Sequence, residues 1–304
     1  MVFLYISLGL VVLFLLVLFI IYLIVFYAGK QNDLKLPAGE QYEEKKEYML
    51  SLIKDALKHP YEEVDIVSHD KKRLHAKVLD NGSREVAICF HGYRGTGVRD
   101  FAGGIKLLNE LKQNIILVDE RGQGKSYSHT MTFGIREKDD VKDWVNYAIE
   151  RFGSDIDIIL YGVSMGASTL IMASNQDLNR VKCIIADSPF SSPKDIIRKV
   201  VKKDLKLPLF IFYPLIYLSA LIFGGFNLNK TTAEKEVINS KYPILIIHGE
   251  DDRFVPCEMS ELISEANKEM VKRITFKNAG HALSFIEDYN RYKEEVLKFI
   301  KNEQ

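Results

Sequence analysis

The chain opens on an uninterrupted apolar run. Residues 2–28 carry no charge, and at about 1.5 Å of helical rise per residue such a run exceeds a hydrocarbon core of roughly 30 Å with some tilt. The pattern predicts a single-pass transmembrane anchor over residues 1–29. A cleaved signal peptide fits less well, because nothing basic precedes the run and Phe26 sets a bulky side chain near its end. A polar connection with Pro37 and Gly39 follows. Between residues 41 and 58, Tyr48, Met49, Leu52, Ile53 and Leu57 then recur at helical spacing among charges. Residues 30–59 therefore read as a juxtamembrane linker with an amphipathic helix.

From residue 60 onward the apolar runs shorten to strand length, at 63–68, 73–79, 85–90, 115–118, 156–161, 183–186, 244–247 and 271–276. Helical spacing occupies 98–112, 137–152, 165–174, 257–269 and 286–301. Three strands in succession, then alternation of strand and helix, predict a mainly parallel sheet covered on both faces with an antiparallel start. Residues 60–304 thus form one α/β domain. The alternation fails only at about 188–242, a connection long enough to be a lid or binding insertion. Inside it residues 207–226 are uncharged and could cross a membrane by length, but Pro208, Pro214 and the Gly224-Gly225 pair interrupt them.

Composition narrows the partners. Lysine plus arginine (41) equals aspartate plus glutamate (41), so no global positive field gathers phosphates and nucleic acid is not an expected partner. Cys89, Cys183 and Cys257 lack the spacing of a disulfide framework or a zinc site. Lys30, Lys35, Lys45 and Lys46 follow the apolar run and by themselves would hold the following domain in the cytoplasm. Interleaved acids and the large domain behind them leave the side of the membrane open.

Candidate chemistry centres on Gly162-Val163-Ser164-Met165-Gly166, a G-x-S-x-G pattern lying directly after one strand run and directly before a helical run. A sharp turn there lifts a serine hydroxyl out of the sheet and places it at a helix N-terminus. Serine is a weak nucleophile at neutral pH and needs a histidine base oriented by a carboxylate. His281, in Ala279-Gly280-His281-Ala282, follows the last strand run and precedes the final helix. Asp252 follows the strand at 244 and gives the chain order serine, acid, histidine. It is preferred to its neighbour Asp251, and Asp187, after the strand at 183, stays an alternative. An oxyanion hole needs two backbone N–H donors. Met165, after the nucleophile, and Tyr93, in the turn His91-Gly92-Tyr93-Arg94-Gly95, are the candidates.

Taken together, His91-Gly92-Tyr93, Asp119-Glu120-Arg121-Gly122-Gln123-Gly124-Lys125-Ser126, the serine turn, His248-Gly249 through Asp252 to Val255-Pro256, and Gly280-His281 resemble the α/β-hydrolase superfamily. Within it they are similar to bacterial membrane-anchored esterase, lysophospholipase-like and serine aminopeptidase-like proteins. The resemblance covers roughly residues 60–302. It implies an α/β-hydrolase fold with an eight-stranded, mainly parallel sheet, helices on both faces and a hydrophobic cap insertion. It also implies Ser164, Asp252 and His281 as a triad with the Tyr93 and Met165 amides as oxyanion donors. The family more often has histidine where this chain has Gln123, a departure outside the triad. The expected activity is hydrolysis of a small-molecule carboxylic ester or thioester through an acyl-enzyme, without metal or organic cofactor. A peptidase or amidase using the same residues is one alternative, and a catalytically silent lipid- or partner-binding protein is another. Oligomeric state stays open. If the triad meets in one place, residues 207–226 cannot be a second single crossing. They are then expected to cap the site, with Phe210, Phe212, Tyr213, Tyr217 and Phe223 either lining an acyl or aromatic pocket or packing the lid onto the domain.

Overall fold

The computed structural model describes residues 1–302 and contains one eight-stranded sheet. Its strands are β1 (Glu62–Val67), β2 (Arg73–Leu79), β3 (Glu85–Phe90), β4 (Asn114–Asp119), β5 (Asp157–Val163), β6 (Val181–Asp187), β7 (Ile244–Gly249) and β8 (Val271–Phe276). They lie in the order β1-β2-β4-β3-β5-β6-β7-β8. β2 pairs antiparallel with β1 and β4, and every other pairing is parallel. The short turn between β1 and β2 permits only an antiparallel return, whereas the later strands are joined through helices that can carry the chain back to start a parallel neighbour.

Successive side chains of a strand face opposite ways, and the two faces feed two separate cores. On one face Ile158, Leu160, Ile244 and Ile246 pack with Trp144 and Leu170. These come from helices Glu137–Phe152 and Met165–Ala173. On the other, Ile159, Tyr161, Leu245 and Ile247 pack with Ile105, Leu108, Phe299 and Ile300. Helix Lys46–Ala56 joins this second core through Ile53 and Ala56. Edge strand β1 carries Glu62, Glu63 and Asp65, charges that discourage pairing with another chain.

A third apolar cluster holds the insertion and the end of the N-terminal helix together. Phe26 packs there with Phe133, Phe190, Ile216, Ala220 and Phe226. Among the described residues one helix, Val2–Val25, is long and apolar enough to cross a membrane. The insertion folds as helix Pro193–Lys199, a wide turn Val200–Asp204, helix Leu209–Ser219 and a second wide turn Ala220–Gly224. Gly225, at φ 65°, ends this second turn in a left-handed conformation that glycine adopts without steric cost, and helix Ala233–Glu236 follows before β7. Pro214 is accommodated inside helix Leu209–Ser219.

Candidate active site

The loops following β3, β5, β7 and β8 converge at the C-terminal edge of the sheet, where parallel α/β sheets place their ligands. After β5 the backbone turns so sharply that Ser164 takes φ 54° and ψ −112° before helix Met165–Ala173 begins. For a residue with a side chain this costs on the order of 1–3 kcal/mol and must be held by its surroundings. Close approach explains the flanking glycines. A Cβ on Gly162 would stand 2.6 Å from the backbone of Ala167, and one on Gly166 would stand 2.0 Å from the Phe90 carbonyl oxygen at the end of β3. Gly166→Ala is therefore expected to push the helix off β3, lowering unfolding stability by about 1–3 kcal/mol or more. A denaturant midpoint unchanged by that substitution would contradict the tight contact.

The turn delivers Ser164 to a continuous hydrogen-bonded chain. The Ser164 hydroxyl lies 2.9 Å from His281 Nε2, and His281 Nδ1 lies 2.7 Å from Asp252 Oδ2. The other Asp252 oxygen accepts the backbone N–H groups of Phe254 and Val255, both at 2.8 Å. His248 Nε2 approaches Asp252 Oδ2 at 3.2 Å and the Val255 carbonyl at 3.0 Å, so the carboxylate sits between two histidines. Ser164, Asp252 and His281 are all buried, and Phe254 covers His281 edge-on with ring centroids 5.2 Å apart.

Burial works against charge on both members of the ion pair. It would raise the Asp252 carboxyl, but the His281 charge and the hydrogen bonds from His248 and His281 outweigh it and hold the carboxyl well below the usual range. It would depress His281, but the Asp252 charge and hydrogen bond, with Asp187 and Asp100 behind them, carry the imidazole above its ordinary value.

The other acids are placed elsewhere. Asp251 is exposed and contributes its N–H to the Ala279 carbonyl. Asp187 is buried beside the site with its carboxylate taken by the Ser188 and Tyr292 hydroxyls, while its backbone carbonyl accepts the Ser164 N–H at 2.8 Å. Burial raises the Asp187 carboxyl.

The turn after β3 passes against Ser164, since a Cβ on Gly92 would meet Ser164 Cβ at 3.3 Å. Asp100 accepts the Gly92 N–H at 2.8 Å and so fixes this turn. Its next amide belongs to Tyr93, whose hydroxyl donates to the Val25 carbonyl at 2.8 Å. Met165 opens its helix, and the first N–H groups of a helix have no partner within it. His91 bonds to the Gly92 carbonyl through Nδ1 and accepts the Glu120 N–H at Nε2, so it braces the turn.

A cleft of about 660 Å³ reaches Ser164 and His281. Its lining includes Gly92, Tyr93 and Phe254 together with Leu23, Tyr27 and linker residues up to Tyr42. None of the insertion's residues lines this cleft, so of the two roles open to its aromatics, lining a pocket or packing the lid onto the domain, the structure has the second. Phe212, Tyr213 and Tyr217 pack into the third cluster instead, Phe223 lies against Phe19 and Tyr22, and Phe210 is 80% exposed. The linker contributes one further contact that its sequence did not signal. Gln41 Oε1 accepts the His281 backbone N–H at 3.0 Å across 240 positions of chain. His69, Asp140 and Asp143 approach as metal ligands would, but Arg121 already pairs with Asp140 and His69 with Asp143, which makes the group an ion-pair network.

Comparison with known proteins agrees with this architecture. The family model of the alpha/beta hydrolase fold matches residues 86–216. The Bacillus subtilis protein YqkD is 25% identical over 197 residues, 64% of this chain and 65% of its own length. The Escherichia coli protein YfhR is 24% identical over 251 residues, 79% of this chain and 80% of its own. An esterase of Pyrococcus furiosus superposes with a TM-score of 0.67 at 27% identity, covering 82% of this chain and 93% of the esterase.

Proposed function

Proceeding from a chain that has the α/β-hydrolase fold and esterases among its structural neighbours, we propose that it is a membrane-anchored serine hydrolase of carboxylic esters or thioesters. The observation that carries this reading is the unbroken hydrogen-bonded path from Ser164 through His281 to Asp252. Ser164 Oγ attacks the carbonyl carbon while His281 Nε2 takes its proton, and the carbonyl oxygen becomes an oxyanion held by the Met165 and Tyr93 N–H groups. Collapse breaks the bond to the alcohol or thiol, which leaves with the proton returned from His281. Water then attacks the acyl-serine, giving its proton to His281, and the carboxylic acid departs as Ser164 recovers its hydrogen. Asp252 stays ionised throughout and balances the imidazolium. Helix Val2–Val25 supports the anchor, because nearly its whole apolar surface is exposed and lipid is the medium that would cover it.

The reading is tested with three substrate classes on the purified chain: short-chain p-nitrophenyl esters, long-chain acyl esters and aminoacyl anilides. Turnover of esters well above anilides, with labelling by a fluorophosphonate, is expected. Anilides cleaved faster than esters would make it a peptidase. No turnover and no labelling would leave a binding protein on a hydrolase scaffold.

A further inference from the structure

The N-terminal helix and the insertion lie side by side. Phe223 meets Phe19 at 5.2 Å and Tyr22 at 6.2 Å between ring centroids, Phe226 meets Phe26 at 5.2 Å, Leu18 is fully buried, and Ile21, Tyr22 and Val25 are half-buried in a helix whose earlier residues are open. Phe19 lies nearly two turns before the helix ends at Val25, which is about 9 Å along its axis. A segment packed at that level on a membrane-crossing helix is itself inside the bilayer, at the depth that interfacial helices reach. The insertion's outward side suits such a place, since Leu205, Phe210, Ile211 and Ile222 are all exposed, an apolar grouping that water would not favour. Lys202, Lys203 and Lys206 stand exposed at the start of this surface, and Lys30 follows the N-terminal helix. Exposed cations next to apolar surface are what anionic headgroups attract. The cleft leads to the same corner, for its lining runs from Ser164 and His281 to Leu23 and Tyr27 at the helix end, with Lys30 and Lys35 beside them.

We infer that residues 205–226 are a second membrane contact, lying in the interface without crossing it. The substrate is then a long-chain acyl ester of the bilayer, which reaches Ser164 along Leu23 and Tyr27 without passing through water. This rests on the reading of the chain as an anchored ester hydrolase and names its substrate class. It also gives the insertion's aromatics a role: they fasten this contact to the anchor so that the cleft mouth is held at headgroup level.

The test uses the full chain reconstituted in vesicles of phosphatidylcholine and phosphatidylglycerol. Trp144 is the chain's one tryptophan and is fully buried, so Phe210→Trp and Ile222→Trp each add a single outward reporter. In vesicles whose acyl chains carry bromine, both introduced indoles are expected to lose most of their emission while the Trp144 contribution keeps its own. Phe210→Asp and Ile222→Asp are expected to lower turnover of a long-chain monoacylglycerol in the vesicle by about tenfold to a hundredfold, the loss that forfeiting one buried large apolar side chain amounts to. Turnover of a soluble short-chain ester should not change. Unquenched indoles in protein that still floats with the vesicles and still hydrolyses the soluble ester overturn the membrane contact, and cross-linking through those positions would then assign the surface to a second copy. Quenched indoles with no turnover of either ester overturn the hydrolase reading and the substrate with it, leaving the contact standing. A chain that does not float with vesicles overturns the anchor and the contact together.

Discussion

Ser164→Ala is expected to lower kcat for ester hydrolysis by a factor on the order of 10⁶ and to abolish fluorophosphonate labelling, because the serine acts as one unit with its base. The fold should hardly register the change. Alanine keeps the Cβ at the same φ of 54° and removes one hydroxyl whose partner is His281, a net hydrogen bond worth about 1 kcal/mol. Ser164→Gly makes a useful companion, since glycine adopts that backbone conformation without strain. It should be equally inactive yet more stable than the parent by about 1 kcal/mol, part of the 1–3 kcal/mol such a conformation stores. Stopped-flow or steady-state ester assays together with thermal unfolding separate the two effects. Labelling that survives in Ser164→Ala would mean that another residue is the nucleophile.

Asp252→Asn should cost kcat a factor of roughly 10⁴, the scale on which a triad base loses its orientation and its correct tautomer. The pH profile supplies a second signature. His281 must be neutral to accept the serine proton, so activity rises with pH as the imidazole deprotonates. With Asp252 beside it, that limb is expected above about 6.5, the ordinary histidine value. Removing the Asp252 charge deletes the main upward influence, leaving the weaker pull of Asp187 and Asp100 against burial, which favours the neutral ring. The acid limb should therefore move to lower pH even as the plateau falls. Asp251→Asn, at an exposed position, should leave both unchanged. A limb that stays in place in Asp252→Asn, or moves in Asp251→Asn, would reassign the acid.

Much of the molecule is legible in its residue order because local patterns record local physics. Alternation of buried faces appears in pairs such as Ile158/Ile159 and Ile244/Leu245, which the two cores divide between them. The glycines around Ser164 signal a close backbone approach, and the structure shows what approaches: the Phe90 carbonyl and the Ala167 backbone. The long apolar run at the N-terminus and the irregular insertion are equally plain. Helix limits were less so. The spacing over 98–112 reads as one helix, whereas Phe101 separates Gly97–Asp100 from Ala102–Glu110.

What the sequence determined by itself was the order of strands and helices, the position of the serine turn, and the apolar character of both the N-terminal helix and the insertion. Only the tertiary structure decided which carboxylate faces His281, since Asp251 and Asp252 differ by one position and opposite exposure in a single turn. It alone decided that the cleft is lined by the linker after the N-terminal helix, that Gln41 holds the His281 backbone, and that the insertion's aromatics clasp the N-terminal helix. Periodicity tells which side of an element is hidden and never against what. That partner is set by the path of the chain, which here brings residues more than two hundred positions apart to within a hydrogen bond.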